Sequence, residues 1–377
     1  MNRLPLDASL RGAYCARVDG VFLDDMRFTI KGVSYFGMET DILVPHGLWG
    51  GDASTTLAEI AQLLTTHHFN LVRVPLAVSA VLENAQVDRY KMGNEKALLD
   101  AFTDRELRYL DVLDYVVQEF AKHKLLVLLD AHVLVPGGPI TPLWYDQPSR
   151  RDWVQRAWAI LADRYKDVWN VIGADVKNEP HGEATWGSGD RATDWRLAAT
   201  ELLESILSIC PRWLIFIEGV QFSRHSSQAD VQSKLPCFWG ENLEGAEKFP
   251  IELSVPERLV YSPHVYGPDV ADQSYFHDPH FPKNMSSVWD AHFGFVQRKQ
   301  IGPVVVGEWG GKYRNEADRE WQNEFAKYLE AQSIDAIYWC VNPNSGDTEG
   351  LLGDDWRTPN VEKLRLLSVF RGSSVKL

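Results

Sequence analysis

The chain has 377 residues, enough for a large core, and its 45% hydrophobic and 24% charged content is that of an ordinary globular protein. A net charge of -14 repels phosphate backbones and so speaks against nucleic acid, while leaving a neutral polymer unpenalised. No stretch carries the roughly 18 uncharged apolar residues of a membrane helix.

In chain order, Met1 to Leu10 has Arg3 but no apolar run, so it does not read as a signal peptide. Residues 11–30 read as a small hairpin, placed to plug the bottom of the fold. Eight short apolar runs follow: Gly32 to Gly37, Asn70 to Leu76, Leu125 to His132, Val171 to Pro180, Leu214 to Val220, Leu259 to Tyr266, Pro303 to Gly310 and Ala336 to Asn342. Continuous apolar runs of this length suit strands buried on both faces, as in a parallel sheet. Helical spacing near 3.6 lies between them, over Ser54 to His67, Asp104 to His123, Arg151 to Tyr165, Asp194 to Ile209, Ser286 to Arg298 and Glu316 to Gln332. The stretch 75–100 reads as a long loop, and Gly219 to Pro250 as another with at most one short helix. Eight alternations of strand and helix predict an α/β fold, a single (β/α)8 TIM barrel over about 30–370, inside one domain spanning 1–377.

Barrel enzymes place their chemistry at the C-terminal ends of the strands. The ends of the runs hold Arg73, His132, Asn178, Glu179, His264, Tyr266, Glu308 and Trp339. One structural hydrogen-bonder at a strand end is unremarkable. Two Glu, two His and one Arg at one rim, on otherwise apolar strands, point to an active site, because buried charges without partners cost several kcal/mol. Glu39, Asp130, Glu218 and Asp347 also lie near strand ends and read as supporting carboxylates. The chain is rich in rings, with 14 Trp, 13 Tyr and 16 Phe, which suits a core and equally a groove for flat ligands. Trp49, beside His46, and Trp239 are candidates for that groove. Cys15, Cys210, Cys237 and Cys340 show no CxxC pair and no His/Cys cluster, so neither a disulfide framework nor a metal site is expected. No GxSxG, HExxH or strand-borne GxGxxG motif occurs, and no cofactor is implied.

The run DVKNEPH at 175–181 resembles the Asn-Glu-Pro signature of glycoside hydrolase family 5, the cellulase family of clan A. Asn-Glu-Pro alone is weak. Here it is followed by VVVGEWG around Glu308 and accompanied in order by RVP at Arg73, His132, SPHVY at 262–266 and YW at Trp339. HGLW at 46–49, DWRLAA at 194–199, LIFIEGVQ at 214–221 and NPNSGDTEGLL at 342–352 extend the likeness, which is strongest to actinobacterial endo-β-1,4-glucanases and covers about residues 18–360.

The resemblance implies a retaining endo-β-1,4-glucanase that acts by double displacement, with Glu179 as general acid/base and Glu308 as nucleophile. It further implies that Arg73 and Tyr266 attend Glu308, that Asn178 bonds the sugar 2-hydroxyl, that His132 and His264 donate hydrogen bonds, and that Trp339 underlies the sugar whose bond breaks. Trp49 and Trp239 would bind sugars on either side. The expected partner is a β-linked polysaccharide or oligosaccharide, with no nucleic acid and no membrane, bound by a monomer. The resemblance also implies an extracellular destination. Other β-glycans (mannan, xyloglucan or β-1,3-glucan) are alternative substrates. A non-catalytic carbohydrate-binding barrel is the alternative of another class, and the presence of both glutamates argues against it. The glutamates belong to the fourth and seventh runs, whose tips face each other across an eight-stranded ring. Retention requires their carboxyl groups about 5 Å apart, and inversion about 6.5–9.5 Å.

Overall fold

A computed structural model describes residues 14–221 and 235–375. Three short strands, β1 (Tyr14–Arg17), β2 (Gly20–Leu23) and β3 (Met26–Arg27), form an antiparallel meander. The expected hairpin therefore gains a third strand, and residues 11–13 lie outside the described chain. The barrel strands follow: β4 (Lys31–Ser34), β5 (Leu71–Ala77), β6 (Leu126–Val133), β7 (Val171–Asp175), β8 (Leu214–Ile217), β9 (Leu259–Tyr261), β10 (His264–Tyr266), β11 (Val305–Gly310) and β12 (Asp335–Tyr338).

All barrel neighbours pair in parallel, in the order β10-β11-β12-β4-β5-β6-β7-β8-β9. β9 and β10 are two halves of one run, interrupted at Ser262 and Pro263. Proline has no N–H to give the ladder, so the strand breaks there. The halves still close the ring, since Tyr261 N–H donates to Pro303 O at 3.0 Å and Gly307 N–H to Pro263 O at 3.0 Å. The eight runs thus form one (β/α)8 barrel in sequence order. Every residue of β5 and β6 is buried, as continuous apolar runs require.

The outer helices begin where their caps are. Thr56 and Glu59 make a reciprocal capping box at the start of Leu57–Thr66. Asp194 caps Trp195–Ile209 and Asn315 caps Glu316–Gln332. Leu57, Ile60, Ala61 and Leu64 form the buried stripe that the 3.6 spacing foretells. Under the barrel, Tyr14, Ala16, Val21, Phe28 and Ile30 join Leu126, Leu128, Ile172, Phe216, Val305 and Ile337 in one apolar cluster, so the meander does plug the bottom.

Two expectations need correction. The stretch 75–100 is not a plain loop: it contains helices Val78–Glu83 and Lys96–Ala101 and a 3-10 turn at Arg89–Met92. These are too short to show a period, and burial of Val78, Ala80, Val81 and Leu98 holds them. The helix foreseen over 286–298 is interrupted, with a π-helical segment, Asp290–Gly294, between Met285–Trp289 and Phe295–Arg298. In the long segment after β8 the described part holds one short helix, Gly245–Lys248, while residues 222–234 lie outside the described chain.

Candidate active site

Arg73 organises the floor of the site. It is the third residue of β5, not its last, and it is fully buried. Its Nη1 donates to Glu308 Oε1 at 2.5 Å, Nε to Asp175 Oδ2 at 2.9 Å, and Nη2 to Asn178 Oδ1 at 2.9 Å. Asp130 Oδ2 lies 3.0 Å from Nη2, with Glu218 behind it at 3.8 Å. A rigid fork of five donors suits this position, because a buried guanidinium must satisfy each of its N–H groups.

Asn178 and Glu179 lie just past the end of β7. Glu179 has φ +50°, in the left-handed region that non-glycine residues rarely occupy, a mark often found at functional sites. Its backbone N–H donates to Glu218 Oε2 at 2.8 Å, which holds the turn. Its Oε1 is 3.2 Å from His264 Nδ1. Gly240 (φ +72°) passes directly beneath, and a Cβ there would fall 2.2 Å from Glu218 Oε2 and 3.5 Å from Glu179 Cα. Only glycine allows that approach.

Glu308, on β11, is gripped from two sides: Tyr266 Oη donates to Oε2 at 2.5 Å, and Arg73 holds Oε1. His264 lies between the two glutamates, 3.5 Å from Glu308 Oε2, and its Nε2 is 3.1 Å from Glu218 Oε1. An oxygen of Glu179, an oxygen of Glu308 and a nitrogen of His264 all lie within 4.8 Å of one another.

Burial lifts the pKa of both glutamates, and the two environments then diverge. Burial and the neighbouring Glu308 charge push Glu179 well above the usual carboxylate range. For Glu308 burial also raises the value, but Arg73, His132 and the Tyr266 hydroxyl all act to lower it. Burial and then Glu308 keep Tyr266 protonated far above the usual tyrosine range, so it remains a donor. Burial drives His264 well below its ordinary value and His132 down to about 4, so both rings are neutral near pH 7.

The cleft is lined by His132, Asn178, Glu179, Tyr266, Glu308 and Trp339, with Trp239, Phe238, Cys237 and Gln221 at its rim. Six of the eight strand-end residues therefore face it, as the sequence suggests. Arg73 and His264 do not: both are fully buried beneath the glutamates and address carboxylates. Asn178 Nδ2 has no hydrogen-bond partner among the described residues, although the residue is buried, so this donor is available to a ligand. Asp130 Oδ2 holds His132 Nδ1 at 2.7 Å, and the His132 ring stacks parallel to Trp339 at 5.6 Å. Trp239 is 40% exposed and lies flat on His181 at 3.8 Å. Trp49 departs from expectation. It is absent from the cleft lining, donates Nε1–H to Ala53 O and packs edge-on against Trp356 at 5.5 Å. Of the supporting carboxylates, Asp130 and Glu218 brace the site, Asp347 lines the cleft, and Glu39 ties Gly37 N–H. Asp175, which its position in the run did not mark as a brace, accepts from Arg73 Nε, and Lys177, for which strand alternation suggests a structural role, is buried with its Nζ donating to the Asn178 carbonyl. His181 was missed too, since its role as a bed for Trp239 depends on two separate loops meeting.

A closed barrel whose strand ends gather two unlike glutamates in a ring-lined cleft defines a glycosidase-type site. The pattern of the cellulase family, glycosyl hydrolase family 5, matches residues 26–345. An endoglucanase of Paenibacillus polymyxa is 36% identical over 364 residues, covering 96% of this chain and 87% of that one. The catalytic domain of the major endoglucanase from Xanthomonas campestris pv. campestris superimposes with a TM-score of 0.81 at 37% identity, covering 94% of this chain and 98% of that one. An endocellulase of Pyrococcus horikoshii, solved in complex with cellotetraose, gives 0.84 at 34% identity, covering 95% and 98%. The chain belongs to the cellulase family, glycosyl hydrolase family 5, and it is a glycoside hydrolase.

Proposed function

We propose that this protein is a retaining endo-β-1,4-glucanase, one catalytic domain over 1–377 acting as a monomer, with Glu308 as nucleophile and Glu179 as acid/base. The observation that carries the reading is the close approach of two differently partnered glutamates: an oxygen of each lies within 4.8 Å of the other, which suits direct attack. Glu308, beside the Arg73 guanidinium, attacks the anomeric carbon as a carboxylate. Glu179, with no guanidinium contact among the described residues, protonates the leaving oxygen. The glycosyl-enzyme ester then forms at Glu308, and Glu179, now a carboxylate, takes a proton from the water that hydrolyses it. Tyr266 supports the Glu308 charge before attack and can turn to the ester afterwards. The unpaired Asn178 Nδ2 suits the sugar 2-hydroxyl, a contact that strengthens as positive charge develops on the ring. Trp339 would carry the sugar whose bond breaks, and Trp239 on its His181 bed would carry a sugar on the leaving side.

Cellotetraose in the Pyrococcus relative supports a β-glucan chain as substrate. A Xanthomonas relative is described as a major extracellular endoglucanase, which supports an extracellular destination. The finer likeness to actinobacterial enzymes rests on sequence motifs, since the relatives named above come from Paenibacillus, Xanthomonas and Pyrococcus. The test is a panel of carboxymethyl cellulose, barley β-glucan, glucomannan, xylan and laminarin with product sizing, and proton NMR of the first products. Mixed-length oligosaccharides from the β-1,4-glucans, released as the β-anomer, are expected. The α-anomer, or activity confined to xylan or laminarin, would overturn the reading.

A further inference from the structure

The peptide bond that joins Asn178 to Glu179 is held at both poles by buried charged groups. Its N–H donates to Glu218 Oε2 at 2.8 Å, and its carbonyl oxygen accepts from Lys177 Nζ. Lys177 is 2% exposed and Glu218 0%. An anion at the N–H and a cation at the carbonyl favour the same setting of the peptide plane, and hydrogen bonds to ionised groups are the stronger kind. The setting matters at this position. Glu179 has φ +50°, and a non-glycine residue keeps that conformation only where its surroundings enforce it. Rotation of this one plane swings the Cα–Cβ bond of Glu179, and the carboxyl group with it.

The other ties of the turn lie on either side of that peptide. Asn178 N–H donates to Ala131 O at 3.1 Å, the Glu179 carbonyl accepts from His181 Nδ1 at 2.7 Å, and the Pro180 carbonyl accepts from Gly240 N–H at 3.3 Å. Lys177 and Glu218 alone among these act on the unit that leads into Glu179. A lysine suits the task. Its compact ammonium ends a flexible four-carbon stem, which leaves the strand opposite Asn178 and folds back to the carbonyl of its own neighbour. A neutral amide would satisfy a carbonyl at less cost, since taking an ammonium out of water is expensive. Burial pushes this amine down to about 8, and the charges of Glu218 and Glu179, which flank the clamped peptide, are the first to oppose that fall. Lys177 is absent from the cleft lining, so it acts through the acid and not on the sugar. We propose that Lys177 is a positioning residue for the reaction: with Glu218 it clamps the Asn178–Glu179 peptide and so aims the Glu179 carboxyl at the leaving oxygen. This inference rests on Glu179 being the acid/base.

Lys177→Met keeps the length of the side chain and removes its donor and its charge. Two substrates separate the possible roles: barley β-glucan, whose leaving group needs a proton, and dinitrophenyl cellobioside, whose leaving group does not. On barley β-glucan kcat should fall by about tenfold or more with KM within about twofold, while kcat/KM on dinitrophenyl cellobioside stays within about threefold. Added to Glu179→Ala, the same substitution should change the barley β-glucan rate by less than about twofold, because the group it positions is gone. Lys177→Arg retains donor and charge and should recover most of the lost rate. Lys177→Gln, a donor without charge, serves where circular dichroism shows the methionine variant unfolded, and about a threefold loss with the same substrate bias is expected of it. An equal loss on both substrates, an undiminished loss in the Glu179→Ala background, or no loss on barley β-glucan would overturn the proposal. If Glu179→Ala itself loses both substrates alike, the acid/base assignment fails, and the role of Lys177 falls with it.

Discussion

Glu179 and Glu308 are the same residue type made unlike by their neighbours, and two variants follow from that difference. Removing the acid matters least when the leaving group is already acidic. Glu179→Ala should fall roughly 10²–10⁴-fold on cellulose yet still form the glycosyl-enzyme from dinitrophenyl glycosides, where it should stall for want of a base. Azide needs no base, so it should release a β-glycosyl azide, detectable by NMR. Glu308→Gln should be inactive on every substrate, and a β-azide from Glu308→Ala would reverse the two roles. Stability gives a second check. Burial raises the folded pKa of Glu179, so its contribution is fully present below the unfolded value of about 4.5 and is lost as pH rises towards the folded pKa. Glu179→Gln has no charge to bury. It should match the parent at pH 4 and exceed it by about 1–2 kcal/mol at pH 8, read as a Tm difference that widens with pH. A gap independent of pH would show that ionisation of Glu179 is not what strains the site.

At the level of elements, the site depends on turns more than on the strands that precede them. Val171–Asp175 ends before Asn178, and the acid projects from a left-handed residue held by Glu218. Gly240, in the next loop, keeps Glu218 in place by having no side chain. Gly240→Ala should therefore combine backbone strain with a collision, lowering stability by roughly 1–3 kcal/mol and kcat more than KM, because the fault lies under the acid and not on the sugar platforms. Thermal melts and initial rates on barley β-glucan measure both. An unchanged kcat would dissociate Glu218 from the chemistry.

Across the whole molecule, the catalytic end and the stabilising end of the barrel are separate. The meander fills the bottom with Tyr14, Val21, Phe28 and Ile30, away from every cleft residue. Phe28→Ala leaves a cavity in that plug and should lower stability by about 3–5 kcal/mol, while the KM of the folded fraction stays within twofold. Denaturant melts and kinetics at 20 °C test the separation, and a raised KM would show that the plug shapes the cleft.

Much of this was legible in the chain itself. Barrel strands buried on both faces must be apolar along their length, so eight runs stand out, and polar residues at their ends stand out against them. The residue types of the catalytic pair, their strands and their order are properties of the sequence. Three-dimensional packing decided the rest. Whether two carboxyls stand about 5 or 8 Å apart depends on barrel closure through the broken strand at Pro263. Arg73 and His264 lie under the site and not in it because their long or flat side chains satisfy buried carboxylates, a demand that appears only once Asp130, Asp175 and Glu218 converge. Trp49 packs edge-on against Trp356, and Trp239 is bedded on His181, since rings pair with whatever the loops bring to them. The short helices in 75–100 left no local trace, because residues far apart in the chain acquire shared surroundings only when the chain closes on itself.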